Sequence, residues 1–199
     1  IKFTGVNPEK ITVTLESADE LPKGNEPVDE LIGKKFIMYI GRPTPHKNLR
    51  RLIDAFALLQ KKYPDLTLAL AGKKDSNYVR HETYVNEHGI KNVVFTGFIS
   101  DEQLRWMYEN TAVYCFPSLS EGFGLPGLEA MLHGAPVASS TATCLPETHG
   151  DAAYYFDPFS VEDIAKSIDD ILSDDKLRNE LVKKGKKHVK TFSWQRMAE

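Results

Sequence analysis

The sequence is short of several features that define whole classes of protein. Only two cysteines, Cys115 and Cys144, occur among 199 residues, and neither lies in the spacing of a CxxC or Cys/His metal motif. A single bridge is weak support for an oxidising compartment, so we expect free thiols and a cytoplasmic protein. No apolar run approaches the roughly 20 residues that cross a bilayer, and no leader pattern opens the chain. These absences argue against disulfide scaffolds, zinc modules and membrane spans.

The chain also lacks a strong charge of either sign. Its 25 Lys and Arg residues and 28 Asp and Glu residues give a formal net charge of −3, and the isoelectric point is near 6.1. Without a basic field, extended binding to nucleic acid requires a local basic patch, and the sequence contains none that we can identify. No nucleic-acid partner is therefore expected, whereas small anionic ligands remain compatible with this composition.

From residue 34 onward, apolar β-type runs alternate with longer amphipathic stretches. The apolar runs are near-continuous, as expected when helices cover both faces of a parallel sheet. We therefore predict an α/β, Rossmann-like domain over 34–199, preceded by a connecting arm over 1–33 with a short strand at 11–15. Strands are predicted at 36–40, 66–71, 93–96, 112–116 and 136–139, with a weaker one at 153–156. Helices are predicted at 48–63, 77–87, 101–109, 126–133, 161–172 and 176–190, with Ser100 and Ser160 as N-caps.

The loop after the first predicted strand carries two cations, Arg42 and Lys47, in the run GRPTPHKN at 41–48. In open parallel sheets, ligands bind outside the carboxyl ends of the strands. A guanidinium binds a phosphate through two parallel hydrogen bonds, an ammonium adds a mobile point charge, and the two prolines restrain the loop. A pair of solvated surface cations explains the same residues, so this loop alone does not decide the ligand.

A sharper motif, SLSEGFGLPGLEAM, follows the fourth predicted strand. Its proline suits the first turn of a helix, and Gly122 and Gly124 allow the preceding backbone to approach a ligand. The helix N-terminus offers amides to a phosphate. Glu121 and Glu129 are spaced so that both carboxylates can face one bound molecule, where they would accept hydrogen bonds from sugar diols. A helix N-terminus with its usual acidic residues explains Glu129, but it does not explain the glycines beside Glu121.

The same stretch contains a GxGxxG pattern at Gly122, Gly124 and Gly127, with Glu147 about 20 residues later, as a dinucleotide fingerprint requires. That fingerprint belongs on the first strand–turn–helix unit, whereas this pattern follows several such units. Pro126 also fills a position that a helical residue normally takes. An NAD-binding oxidoreductase domain is therefore kept as a minor alternative.

In chain order, the motifs resemble the C-terminal domain of family 4 glycosyltransferases of the GT-B fold. The resemblance runs from about Phe36 to Trp194. The stretches 121–131 and 145–153 look like those of mannosyltransferases. The matching pieces are YIGR and PHKN in the first loop, AG at Ala71, TGFIS at Thr96, the pair Glu121 and Glu129, PV at Pro136, LPE at Leu145, GDAA at Gly150 and FSW at Phe192.

The resemblance implies a role for each matching residue. In that family, the residues matching Arg42 and Lys47 bind the diphosphate of a nucleotide-sugar donor. The residue matching Glu129 binds the ribose hydroxyls, and the one matching Glu121 touches the transferred sugar. Arg42, Lys47 and Glu121 are thus the expected catalytic set. Further donor-binding positions expected from the resemblance are Gly41, Gly72, Phe98, Ile99, Gly122, Phe123, Gly124 and Leu125.

The activity implied by the resemblance is a retaining hexosyl transfer in polysaccharide biosynthesis. GDP-mannose is the preferred donor, UDP-glucose is the alternative, and the acceptor is a glycan or a lipid-linked glycan. Positioned cations can stabilise a departing diphosphate without Mg²⁺, so no metal and no cofactor are expected. The family's N-terminal acceptor domain is missing from this sequence, and we expect this domain alone to bind donor but to transfer poorly. A nucleotide-binding module without transferase activity stays open as an alternative.

Three further features have roles that the sequence leaves open. Lys73 and Lys74 stand where a second glycine is common, which leaves the role of that loop open. His149 is a candidate for the wall of the cleft. A basic run near the C-terminus is interpreted as a solvated helix face, with contact to anionic lipid at the inner face of the membrane as the alternative. The run consists of Lys183, Lys184, Lys186, Lys187 and Lys190.

Overall fold

A computed structural model describes residues 5–24 and 26–198; residues 1–4 and 25 of the predicted arm, and residue 199, lie outside the described residues. In the described chain, the strands pair in parallel in the order β3-β2-β1-β4-β5-β6. The predicted Rossmann-like α/β fold is thereby confirmed. The strands are β1 (Phe36–Ile40), β2 (Thr67–Ala71), β3 (Val93–Gly97), β4 (Val113–Phe116), β5 (Val137–Ser140) and β6 (Ala153–Phe156).

Most helices form where the sequence predicts them. The helix predicted to reach Tyr63 instead ends at Leu59, because the chain tightens there: Lys62 N–H donates to the Leu59 carbonyl at 3.0 Å. The short helices α5 and α8 were not predicted, since five residues are too few to show a helical period. The helices are α1 (Leu49–Leu59), α2 (Ser76–Glu87), α3 (Asp101–Asn110), α4 (Leu125–Leu132), α5 (Leu145–His149), α6 (Val161–Ser173), α7 (Asp175–His188) and α8 (Trp194–Ala198).

Alternate side chains of the central strand β1 enter two different core layers, as the period of two in a strand requires. Ile37 and Tyr39 pack with side chains of α1 and α6. Phe36 and Met38 pack with side chains of α3 and α4 on the other face. None of the four is more than 1% exposed. Burial on both faces explains why this strand is an uninterrupted apolar run in the sequence.

The arm before β1 differs from the prediction. The short strand expected at 11–15 does not form, and that segment is neither helix nor strand. Ile11 and Val13 are exposed, because the segment has no neighbouring strand or core surface on which alternate apolar side chains could pack. Farther along the arm, Val28 and Leu31 are buried in the core layer that contains α3 and α4. The later part of the arm is thus packed against the domain.

The strand order reverses between β1 and β4, which are neighbours in the sheet although β2 and β3 lie between them in the chain. Because the two strands are parallel, their carboxyl ends lie at the same edge of the sheet. At such a reversal the connections leave toward opposite faces, and a crevice forms between them. Both motif loops of the sequence start at this crevice.

One prediction concerns the cap of α6. Ser160 Oγ accepts a hydrogen bond from the Asp163 amide at 3.1 Å. Replacing Ser160 with Ala leaves that first-turn amide without its acceptor, so the free energy of unfolding should fall by about 1 kcal/mol. Urea unfolding followed by circular dichroism measures the change. Ser160→Asn keeps a capping oxygen and should lose much less, and equal losses in the two variants would contradict the capping role.

Candidate functional site

Three loops at the carboxyl edge of the sheet are joined by backbone hydrogen bonds. Gly41 N–H donates to the Ala71 carbonyl at 3.0 Å, and Gly72 N–H donates to the Gly97 carbonyl at 3.0 Å. A Cβ atom on Gly72 would collide with the Gly41 carbonyl oxygen, so this close approach requires glycine. The loops that follow β1, β2 and β3 therefore hold one another in place.

Asn48 connects the β1 loop to the loops after β4 and β6. It is 5% exposed, and its Nδ2 donates to the carbonyls of Pro117 at 3.0 Å and Pro158 at 2.8 Å. Its Oδ1 accepts from Arg51 Nη1 at 2.9 Å, so both ends of the buried amide are paired. The backbone has φ 60° and ψ 28°, a left-handed conformation that Asn adopts more readily than most residues.

Lys47 and Glu121 meet across the crevice. Lys47 Nζ lies 2.6 Å from Glu121 Oε1, and the two side chains are 21% and 12% exposed. A pair this enclosed is screened by salt much less than a surface pair. The sequence predicted both residues as donor ligands, and the fold brings them into contact although they are 74 positions apart.

The backbone at Glu121 is held by the loop after β5. Its N–H donates to Thr143 Oγ1 at 3.1 Å, and Cys144 Sγ donates to its carbonyl at 3.3 Å. Thr143 and Cys144 are not among the predicted site residues; the signal in the sequence that could have identified them is the polar run SSTATC at the end of β5. Cys144 and Cys115 are free thiols, as predicted.

Arg42 has a different partner from Lys47. Its Nε lies 3.3 Å from Asp75 Oδ2, and 75% of its side chain is exposed. The backbone amide of Tyr78, with help from Arg42, holds the pKa of Asp75 below its ordinary value. An ion pair this exposed contributes little to stability, so an anionic ligand can draw Arg42 away at little cost. Asp75 is not among the residues that the sequence predicted for the site.

Glu129 lies on α4, half-buried beside Tyr108. The Tyr108 hydroxyl donates to Glu129 Oε2 at 3.3 Å. Burial raises the pKa of Glu129, and no Lys or Arg of the described chain forms an ion pair with it. A half-buried carboxylate is stabilised by neutral hydrogen-bond donors, such as the Tyr108 hydroxyl here. Tyr108 was also missed, because a Tyr within a helix gives no signal in the sequence.

The remaining predicted donor-binding residues differ in exposure. Phe98, after β3, is 84% exposed, whereas Ile99 is partly buried against the core layer of α3 and α4. The Phe123 ring packs edge-on against Phe192, with 5.9 Å between ring centroids. Gly124 caps the N-terminus of α4 in a left-handed conformation. Of these side chains, Phe98 is the most accessible to a ligand.

The hypothesis that His149 lines the cleft is wrong. Its side chain is fully buried at the end of α5, so it lies beneath the glycine loop rather than on the surface of that loop. Nδ1 lies 3.2 Å from Ser139 Oγ, and Nε2 lies 3.1 Å from the Gly124 carbonyl oxygen. Burial lowers the pKa of His149 to about 4, so the imidazole is neutral at pH 7.

Lysines outside the crevice are partly engaged in ion pairs. Lys74 Nζ lies 2.7 Å from Glu82 on α2, and Lys184 Nζ lies 3.0 Å from Glu180 and 3.4 Å from Asp151. No helix in the part of the chain that the structure describes is long and apolar enough to cross a membrane. Within the same residues, no group of three or more His, Cys, Asp or Glu side chains is placed to hold a metal ion.

The family model described as Glycosyl transferases group 1 matches residues 24–188. The chain belongs to this family. It is 35% identical over 172 residues to the O-antigen chain mannosyltransferase B of Escherichia coli, an alignment that covers 83% of this chain and 44% of that protein. The chain thus spans less than half the length of this relative.

Solved structures agree with the family assignment. The fold is similar to the C-terminal domain of a glycosyl transferase group 1 family protein from Francisella tularensis, with a TM-score of 0.71, 32% identity and coverage of 80% of this chain and 86% of that one. It is also similar to sucrose-phosphate synthase from Thermosynechococcus elongatus, with a TM-score of 0.76, 28% identity and coverage of 85% and 46%. The resemblance to the C-terminal domain of a GT-B glycosyltransferase is therefore confirmed.

Substitution of Asn48 should destabilise the whole carboxyl edge. Asn48→Gly keeps the left-handed backbone but leaves the carbonyls of Pro117 and Pro158 without their hydrogen-bond donor. The free energy of unfolding should therefore fall by about 1–3 kcal/mol. Asn48→Ala should lose about 1–2 kcal/mol more, because Ala resists the left-handed conformation. Urea unfolding of the two variants measures both effects, and a more stable Ala variant would contradict the conformational part of the argument.

Acid should destabilise the protein through His149. Its folded pKa of about 4 lies below the ordinary 6.5, so between these pH values the unfolded chain binds more protons and the free energy of unfolding falls as the pH falls. At about 1.4 kcal/mol per pKa unit, the loss between pH 7 and pH 4.5 should be about 2–3 kcal/mol. The charged groups that act on His149 are His188, which lowers its pKa, and Glu121, which raises it.

Urea unfolding of the wild type and of His149→Gln at the two pH values isolates the contribution of His149, because the two proteins have all other titrating groups in common. The stability of the wild type should fall more than that of the variant. Parallel losses in the two proteins would show that His149 does not titrate as described.

Proposed function

We propose that this chain is the donor-binding domain of a glycosyltransferase that transfers a hexosyl group from a nucleoside diphosphate sugar. The observation that carries the proposal is the Lys47–Glu121 pair at the crevice between β1 and β4. The pair places a cation for phosphate and a carboxylate for sugar hydroxyls side by side, which suits a ligand that contains both groups.

The diphosphate in this proposal is bound by Lys47, Arg42 and the N-terminus of α4. α4 has no side-chain cap, Pro126 carries no N–H, and the Gly127 amide donates to the Gly124 carbonyl at 3.0 Å, so the Leu125 amide is the first-turn donor offered to a ligand. An anion at that position is favoured by this amide and by the helix dipole. Arg42 leaves its exposed contact with Asp75 and adds a second cation.

The two glutamates then divide the sugars between them. Glu129 accepts hydrogen bonds from the ribose hydroxyls, which compensate its burial. Glu121 is released from Lys47 when that ammonium binds phosphate, and its oxygens accept hydroxyls of the transferred hexose. The proposed donor therefore replaces the Lys47–Glu121 contact with two contacts of its own, one from its phosphate to Lys47 and one from its hexose to Glu121.

In the reaction we propose, the bond between the anomeric carbon and the leaving phosphate oxygen breaks, and the acceptor hydroxyl oxygen attacks the same face of the sugar. The configuration is retained, and the leaving phosphate takes the proton of the acceptor hydroxyl. Arg42 and Lys47 stabilise the negative charge that develops on the departing diphosphate. With two cations and helix amides in that role, the proposal includes neither a metal ion nor a cofactor.

GDP-mannose is the proposed donor, and UDP-glucose is the alternative. The choice is supported by the identity to a mannosyltransferase of O-antigen chains. The acceptor is a glycan or a lipid-linked glycan, bound by an N-terminal domain of a longer protein in the cytoplasm or at the inner face of the membrane. A nucleotide-binding module without transferase activity fits the same donor site.

NAD binding is less well supported, because the GxGxxG pattern follows β4 rather than β1. Gly127, its third glycine, faces the buried His149 ring rather than the crevice.

Thermal-shift and calorimetric titrations with GDP, UDP, ADP, GDP-mannose, UDP-glucose and NAD test the site. A bound nucleotide at about 100 times its Kd should stabilise the chain by about 2.7 kcal/mol. Lys47→Ala should weaken the binding of that nucleotide by roughly 10- to 100-fold, since a hydrogen bond to a charged group contributes about 1.5–3 kcal/mol.

A matched lysine variant provides the control. Lys62→Ala breaks an exposed pair with Asp169, at 2.7 Å, beyond the C-terminal end of α1, and it should bind nucleotide like the wild type. A response to NAD alone, or full binding by Lys47→Ala, would show that the donor site is wrongly assigned.

A further inference from the structure

A buried histidine that the proposed reaction does not use lies directly beneath the start of α4. The ring of His149 packs against Phe116, with 5.6 Å between ring centroids. A Cβ atom on Gly127 would collide with the imidazole, and one on Gly124 would lie 3.2 Å from its Nε2. The helix that begins at the crevice therefore rests on this ring.

The hydrogen bonds of the ring fix its tautomer. A carbonyl oxygen can only accept, so the Nε2 that lies 3.1 Å from the Gly124 oxygen carries the proton. Nδ1 of the neutral ring then accepts from the Ser139 hydroxyl at 3.2 Å, whose one hydrogen it shares with the Ser140 carbonyl oxygen at 3.3 Å. With both nitrogens paired and all sides buried, the imidazole has one orientation.

That orientation sets the direction of the next backbone amide. The Gly124 carbonyl accepts from both His149 Nε2 and the Gly127 amide, the latter at 3.0 Å. In a trans peptide the carbonyl and the N–H point in opposite directions, and the Gly124–Leu125 peptide is trans. Because its carbonyl points along α4 toward the ring, the Leu125 N–H points outward from the N-terminus of the helix.

We propose that His149 is a positioning residue that holds the Gly124–Leu125 peptide and thereby orients the Leu125 amide toward the donor diphosphate. This role rests on the proposed function of the crevice. The imidazole also explains one glycine of the GxGxxG pattern, because a Cβ atom on Gly127 would collide with the ring, whereas Gly124 is required by its left-handed backbone and by the Leu145 side chain.

The first test compares two variants of His149 in calorimetric titrations with GDP, UDP and ADP, at a temperature where all of the proteins are folded. His149→Leu fills a similar volume without a donor, whereas His149→Gln keeps an N–H donor and an acceptor. The Leu variant should bind the nucleotide that the wild type prefers about tenfold more weakly, and the Gln variant within about threefold of the wild type. A purely structural His149 would change the Tm of the Leu variant without changing its affinity.

The second test needs no nucleotide. Gly127→Ala should lower the Tm by several degrees when His149 is present, because the new methyl group meets the ring. In a His149→Ala background the same substitution should leave the Tm unchanged or raise it, since Ala favours a helix over Gly once the ring is gone. The loss of the destabilising effect in the His149→Ala background reports the contact directly.

The outcomes separate the two proposals. A Tm that falls equally in both backgrounds would overturn the packing of His149 on Gly127 and the positioning role built on it. Wild-type affinity in His149→Leu would overturn the positioning role and leave the donor site intact. A wild-type chain that binds none of GDP, UDP and ADP would overturn the proposed function, and the role of His149 toward a diphosphate would be lost with it.

Discussion

The candidate site depends on the amide of Asn48. Through two hydrogen bonds, this buried side chain holds the ends of the β4 and β6 strands against the β1 loop. The left-handed turn at Asn48 ends the short 3₁₀ segment that carries Lys47 and begins α1. Without these bonds, two carbonyls would be buried unpaired, and the two loops would be joined mainly by the hydrogen bond from the Leu119 amide to the His46 carbonyl at 2.7 Å and by the Lys47–Glu121 pair itself. Asn48 thus sets the local backbone turn and holds three loops together, and both effects help to place Lys47 beside Glu121.

The charges of the crevice are paired in ways that differ in strength. The Arg42–Asp75 pair is exposed and costs little to separate, whereas the Lys47–Glu121 pair is enclosed and costs more. A diphosphate that enters the crevice would therefore recruit Arg42 readily and would need to replace the contacts of Lys47 with better ones. Two cations and the N-terminus of α4 can do so, which is why the donor proposal is consistent with the energetics of these ion pairs.

The core and the site are not separate parts of this domain. His149 belongs to the buried layer beneath the sheet edge, yet it bonds to the carbonyl that begins α4. The glycines of this run have structural causes: a side chain on Gly127 would collide with the imidazole, and one on Gly124 would collide with Leu145 and crowd the imidazole. A pattern that resembles a dinucleotide fingerprint has a different physical origin here, which explains why it follows β4 instead of β1.

The sheet, the helices that cover it and the two loops that carry the site could be predicted from the chain, because they follow from local periodicity and from residue types at strand ends. The order of the motifs also carries the family resemblance. The folded arrangement was needed to show which side chain meets which partner: Lys47 with Glu121, Arg42 with Asp75, and Glu129 with Tyr108. It also placed His149 inside the protein and left 11–15 without a strand partner. Burial and pairing depend on residues far apart in the chain, and no local pattern contains that information.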